Sequence, residues 1–203
     1  GIGNSTFASR ADSVLFLPTE PGLNAIDAFK YDLINSWEEL WQAFRELKES
    51  QHQFKSVCID TLNNAHKLCA NYVCRRNNVQ HETDIPGNAK GYTLINNEFY
   101  RLIKAFSSLG LGVYMTAHVR EQPVKSRTTE ITKSVPDLPD KSRGHIVAIS
   151  DFVLFATTEE IEEESNGVVT TRSRRILKTK PNALWEAKDR FGGLPEQIPL
   201  SYP

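Results

Sequence analysis

Gly1-Ile2-Gly3-Asn4-Ser5-Thr6 opens the sequence and carries groups suited to phosphate. Glycines let backbone N–H groups approach phosphate oxygens, and a helix start just beyond favours an anion. Hydroxyls such as Ser5 and Thr6 suit Mg²⁺. A complete phosphate loop also has an earlier glycine and a lysine for the β- and γ-phosphates, and here Asn4 stands in the lysine position. Alone, the segment reads better as a plain Gly/Ser/Thr-rich stretch than as a phosphate loop. Asn4-Ser5-Thr6 also spells a glycosylation sequon, which we discount for an intracellular chain.

Glu20, Asp60 and His118 each close an apolar run. A carboxylate such as Asp60 can hold the water shell of Mg²⁺, or it can cap the next helix. Glu20 can orient and deprotonate a water, or be a solvated strand-end charge. His118 can sense a phosphate and move the segment behind it, or be a hydrogen-bonded structural histidine. His66, Cys69, Cys74 and His81 lie close enough in sequence to bind zinc tetrahedrally. Their spacing fits no zinc pattern we can name, and buried cysteines beside loop histidines are the plainer reading.

Elements that would position these residues follow from periodicity. Ser13 to Glu20, Phe54 to Asp60 and Gly112 to His118 read as strands: short apolar runs with turn residues after them. Asp151 to Glu160 and Val168 to Lys180 read as two more, with Ser165-Asn166-Gly167 as a hairpin turn. Ser36 and Glu39 have capping-box spacing and open a helix carrying Trp37, Leu40, Trp41, Phe44 and Leu47. Leu62 to Arg76 and Tyr92 to Leu109 are helical, the latter ended by Gly110. Val79 to Gly91 and Glu121 to His145 read as polar loops, the second long enough to be functional or disordered. The tail from Trp185 is irregular, and the acidic run Glu159 to Glu164 is a solvated strand end. Strands alternating with helices, then a hairpin, predict an α/β fold with a mainly parallel sheet. In such sheets chemistry gathers at the carboxyl ends of the strands, where Glu20, Asp60 and His118 all fall.

With 203 residues, 39% hydrophobic and 24% charged, the chain is expected to form a single domain spanning 1–203. The net charge of −1 gives no whole-chain affinity for nucleic acid, so any such contact must be local. No apolar run approaches the roughly 20 residues that span a membrane. Three cysteines are an odd number and no disulfide framework, which predicts a reduced, cytoplasmic setting.

The order of these features resembles RecA-like P-loop ATPases, most closely the phage-encoded recombination proteins associated with single-strand annealing, often labelled AAA-type. The matching stretches are GIGNSTFAS, LFLPTEPGLNAID, VCIDTL, GYTLINNEFYRLI, VYMTAHV and KDRFGGLP, spread over nearly the whole chain. The resemblance implies a RecA-like core that binds ATP and Mg²⁺ and couples them to single-stranded DNA. Gly1, Gly3, Asn4, Ser5 and Thr6 would bind phosphates, and Ser5 and Asp60 would hold Mg²⁺. Glu20 would be the general base, Asp60 the Walker-B aspartate and His118 the sensor of the γ-phosphate. Lys188 and Arg190 would reach into a neighbouring subunit's site, as arginine fingers do. A homo-oligomeric ring or filament, a single-strand-binding protein as partner and the cytoplasm of a bacterial host are further implications.

In RecA-like folds the loops after the second and third of these strands face DNA, here Arg75 to Lys90 and Glu121 to His145. The second carries Lys125, Arg127, Lys133, Lys141, Arg143 and His145 against Glu121, Glu130, Asp137 and Asp140, and no aromatic for base stacking. Two departures stand out. Asn4 cannot balance phosphate charge, so the ATPase is expected to be weakened. The chain also begins inside the phosphate loop, so the strand before it is missing. We expect a fragment of a longer gene product, or another segment filling the gap. A degenerate P-loop protein, acting as a nucleotide- or DNA-binding scaffold, is the competing reading, and a ring-helicase motor a third.

Overall fold

The computed structural model describes residues 2–125, 130–165 and 168–200. Gly1, Arg127 and the Asn166-Gly167 part of the expected turn lie outside these residues. In chain order the elements are α1 (Asn4–Ala8), β1 (Val14–Pro18), β2 (Phe29–Lys30), α2 (Trp37–Glu49), β3 (Ser56–Asp60) and α3 (Leu62–Arg76). A 3₁₀ turn (Glu82–Asp84), α4 (Lys90–Ser107), β4 (Gly112–Met115), β5 (Val119–Lys125), β6 (Glu130–Pro136) and α5 (Asp140–Ile149) follow. The chain closes with β7 (Phe152–Val153), β8 (Phe155–Ser165), β9 (Val168–Lys178), β10 (Lys188–Asp189) and β11 (Gln197–Pro199). These elements group into two compact units.

The larger unit comprises Ala8–His118 and Asp137–Ala148. Its sheet has the order β2-β1-β3-β4, with every neighbouring pair parallel. All residues of β1 and β3 are buried, as expected of parallel strands covered on both faces. Val14, Phe16 and Cys58 pack with Ala8, Ala11 and Leu23. Val57, Ile59, Leu40, Leu102, Ile103 and Phe106 are buried almost completely. Ser36 caps α2 by accepting the Glu39 N–H, while the Glu39 carboxylate accepts the Asn35 N–H. Glu98 of α4 accepts the indole N–H of both Trp37 (2.8 Å) and Trp41 (3.0 Å) and so ties α2 to α4. Among the described residues β4 pairs with β3 alone.

The smaller unit comprises Gly1–Phe7, Val119–Pro136 and Ile149–Pro203. It is built of antiparallel ladders: β5 on β6, β8 on β9 with β11 beside β9, and β7 on β10. Its packed centre includes Ile176 and Leu177, and the stacked rings of Phe155 and Trp185 lie 6.0 Å apart.

Three expectations change here. The stretch from Glu121 to His145 is not a long loop but a hairpin, β5 and β6, followed by α5. Its strands are mostly polar and carry Pro123 and Pro136, so they lack the apolar alternation that marks a strand, and proline is tolerated in so narrow a ladder. Helix α5 starts behind Pro139, whose carbonyl accepts the Arg143 N–H at 2.8 Å. The single strand expected from Asp151 to Glu160 is two, because the chain changes partner at Leu154, from β10 to β9. The tail beyond Trp185 carries β10 and β11, too short to show a period.

Candidate functional site

The parallel order of β1, β3 and β4 brings their carboxyl ends side by side, and the polar residues at those ends interlock. Thr19 N–H donates to the Asp60 carbonyl (2.7 Å), Thr19 Oγ1 donates to the Thr61 carbonyl (2.7 Å), and Thr61 N–H donates back to Thr19 Oγ1 (2.9 Å). The Asp60–Thr61 peptide is cis. Asp60 is 6% exposed and accepts a hydrogen bond from the Thr116 hydroxyl at the end of β4. Thr61, not Asp60, is the N-cap of α3, and its hydroxyl points to Glu20 instead of capping. The N-cap position open to Asp60 in the sequence is therefore occupied by its neighbour, without a side-chain capping bond.

Glu20 sits at the centre of the second half of the cluster. Its Oε2 accepts from Asn64 Nδ2 (2.9 Å) and Thr61 Oγ1 (3.3 Å), and His118 Nε2 lies 3.3 Å from the carboxylate. Glu20 keeps 29% side-chain exposure and His118 60%, so both are open to a ligand or water. Asn63, in the first turn of α3, accepts the His118 N–H (2.8 Å) and donates to the Asp137 carbonyl and carboxylate. The Asp137 N–H returns to the His118 carbonyl at 2.8 Å. The two chain ends that lead into and out of β5–β6 are thus pinned to the helix that follows Asp60. Sequence reasoning passed over Asn63 and Asn64. Two poor helix formers in the first turn after a strand-end aspartate were the available signal.

A family of AAA domains matches residues 1–191. The chain belongs to this family. It is 24% identical over 205 residues, covering 98% of this chain, to the SPbeta prophage-derived uncharacterized protein YorG of Bacillus subtilis (strain 168). This chain spans 59% of that relative's length. No solved structure matches significantly. AAA domains are P-loop modules that bind nucleotide with Mg²⁺, and the donors here fit that chemistry. The carboxylates and hydroxyls of Asp60, Thr116, Glu20 and Thr61 are the hard oxygen ligands and water-shell acceptors that Mg²⁺ takes.

The segment expected to bind phosphate, Gly1 to Thr6, falls in the smaller unit. Gly3 has φ +111°, a conformation that favours glycine, and α1 starts at Asn4, with the Phe7 N–H donating to the Gly3 carbonyl at 2.9 Å. Ser5 and Thr6 occupy the first turn of α1. A residue that sequence reasoning did not single out lies against this loop. Arg175 of β9 donates from Nη1 to the Ile2 carbonyl at 3.3 Å, and a Cβ on Gly3 would lie 3.2 Å from the same nitrogen.

Lys188 and Arg190 also belong to the smaller unit, where both hold their own chain. Lys188 Nζ donates to the Ser150 carbonyl (2.7 Å), and Arg190 pairs with Asp151 (3.3 Å) and points to the carbonyls of Ile149 and Ser150. Between them the fully enclosed carboxylate of Asp189 accepts from Lys180 and from the N–H groups of Phe191, Gly192 and Leu194. The Lys180 ammonium, then these backbone donors, pull its carboxyl down to about 2. The turn carrying Arg190 and Phe191 is therefore fixed in shape.

The zinc constellation does not assemble. His66 donates from Nε2 to Ser142 Oγ (3.1 Å) and packs edge-on to Phe99, Cys69 is buried with its thiol toward the Ile95 carbonyl, and Cys74 is buried. His81 caps the 3₁₀ turn, its Nδ1 accepting the Thr83 N–H. Helical geometry points these side chains into separate packing environments, and no cluster of metal-binding side chains occurs among the described residues. Burial pushes the Cys58, Cys69 and Cys74 thiols up, so none is a ready thiolate. No helix of the described residues is long and apolar enough to cross a membrane.

Proposed function

We propose that the chain is the ATP-binding core of a RecA-like protein of phage-type DNA recombination, coupling nucleotide binding and hydrolysis to single-stranded DNA. The observation that carries this reading is the Glu20–Thr61–Asn64–His118 cluster beside Asp60, at the carboxyl ends of three adjacent parallel strands. The AAA family and the prophage relative support it.

In this reading Gly3, Ser5 and Thr6 cradle phosphates, and Asp60 holds the water shell of Mg²⁺. The metal, when bound, offsets charge developing on the phosphate oxygens. Glu20 orients a water and takes its proton, Asn64 and Thr61 hold Glu20 in position, and His118 reports on the reacting phosphate through its contact with Glu20. Because Asn63 joins His118 to Asp137, a shift at His118 reaches both roots of the β5–β6 hairpin, which we assign to DNA. Lys188 and Arg190 serve a neighbouring subunit in a ring or filament, which requires them to leave their present carbonyl partners.

ATP turnover measured with and without single-stranded DNA tests the reading. Turnover stimulated by single strands, and lost in Asp60→Ala, is the expected result. Tight nucleotide binding with no turnover under either condition would instead establish a non-hydrolysing scaffold, the reading that Asn4 favours.

A further inference from the structure

Asn4 leaves the phosphate loop without its usual cation, yet the fold brings another to it. Arg175 comes from β9, far along the chain, and Nη1 sits at the Ile2 carbonyl and over the Cβ position of Gly3. A guanidinium has five N–H donors in a fork shaped for phosphate oxygens. The Ile2 carbonyl takes one of them. Among the described residues no carboxylate pairs with Arg175, which is exposed and faces Thr158 across the ladder. Glu160 lies further along the same face without forming an ion pair to it. The backbone of Arg175 is held on both sides, by β8 and by the Leu200 N–H donating to its carbonyl at 3.0 Å. The β9 strand therefore delivers a lasting charge to the loop on a rigid support.

We propose that Arg175 supplies the phosphate-binding charge that Asn4 does not. The proposal rests on nucleotide binding at Gly3 to Thr6, as set out above. Replacement of a lysine at the loop by an arginine from another strand explains how a glycine-hydroxyl loop with Asn4 can still take a polyanion. It also assigns a role to an arginine whose guanidinium donates to a backbone carbonyl of the loop. Arg175 is not required to occupy the lysine's position, only to neutralise the same oxygens from the glycine side.

Calorimetric titration of the whole chain with MgATP, inorganic tripolyphosphate and adenosine tests the assignment. Arg175→Ala should weaken MgATP and tripolyphosphate by about ten- to a hundredfold, the loss expected for a charge-assisted bond, and leave adenosine unchanged. Arg175→Lys should keep most of the affinity, and Asn4→Lys added to Arg175→Ala should restore it. Arg175→Gln, which keeps a donor to Ile2 without the charge, should behave like Arg175→Ala and serves if the alanine variant does not fold. Wild-type affinity for tripolyphosphate in the folded Ala or Gln variant overturns the proposal, as does equal weakening of adenosine. If the wild type binds MgATP and the variants match it, only this inference fails. If the wild type binds neither MgATP nor tripolyphosphate, the inference and the nucleotide-binding reading fall together.

Discussion

Lowering the pH should loosen the helices around the candidate site through His66. Its imidazole donates to Ser142, whose hydroxyl donates in turn to Asn96, so one buried chain of bonds joins α3, α5 and α4. Burial holds the imidazole down at about 4, against an ordinary 6.5, with the Glu82 charge opposing weakly. The folded value is the lower one, so the unfolded chain binds the proton more readily. Stability is therefore complete above the ordinary value and falls as pH drops toward the folded value. Between about pH 7 and about pH 5 linkage gives a loss of about 2 kcal/mol, and solvent screening of this part-buried ring trims it to roughly 1–2 kcal/mol. That corresponds to roughly 2–8 °C in melting temperature for a chain of this size. Urea unfolding followed by tryptophan fluorescence, at both pH values, in wild type and His66→Gln, isolates the effect from other titrating groups. The wild type should lose roughly 1–2 kcal/mol more than the variant over this interval. Equal losses would refute the argument that a neutral His66 supports the fold.

Other outcomes follow from the same geometry. Glu20→Gln should lower ATP turnover about 10²–10⁴-fold while sparing nucleotide affinity; a turnover unchanged from wild type removes Glu20 from the mechanism. Asn4→Lys should tighten MgATP binding and speed turnover by about tenfold each, and equal affinity and turnover would show that a lysine at this position adds nothing to the charge already present. Glu98→Ala strands the Trp37 and Trp41 indole donors and should cost about 2–3 kcal/mol in chemical unfolding, with Glu98→Gln costing visibly less. A neutral alanine variant would mean that water satisfies both indoles.

Much of the α/β unit is legible in the sequence because its signals are local. Leu62 to Arg76 forms the helix its pattern predicts, and Ser36 with Glu39 marks the start of α2 through a capping box. The run SVCID, short, apolar and β-branched, reads as the buried strand it forms. The β-rich unit is less legible. Glu121 to His145 reads as a polar loop because a narrow, mostly polar ladder shows no apolar alternation, and β10 and β11 are too short for any period.

The sequence by itself places Glu20, Asp60 and His118 at strand ends, since each closes an apolar run, and fixes that Asn4 carries no charge. It cannot say which strands are neighbours, and only the order β2-β1-β3-β4 makes those ends adjacent. Tertiary structure alone brings Asn64 to Glu20, disperses His66, Cys69, Cys74 and His81, and sets Arg175 against Gly3. The physical reason is common to all three. Periodicity reports which side of an element is apolar, whereas contacts between residues distant in the chain depend on strand pairing and helix rotation, which no local pattern encodes.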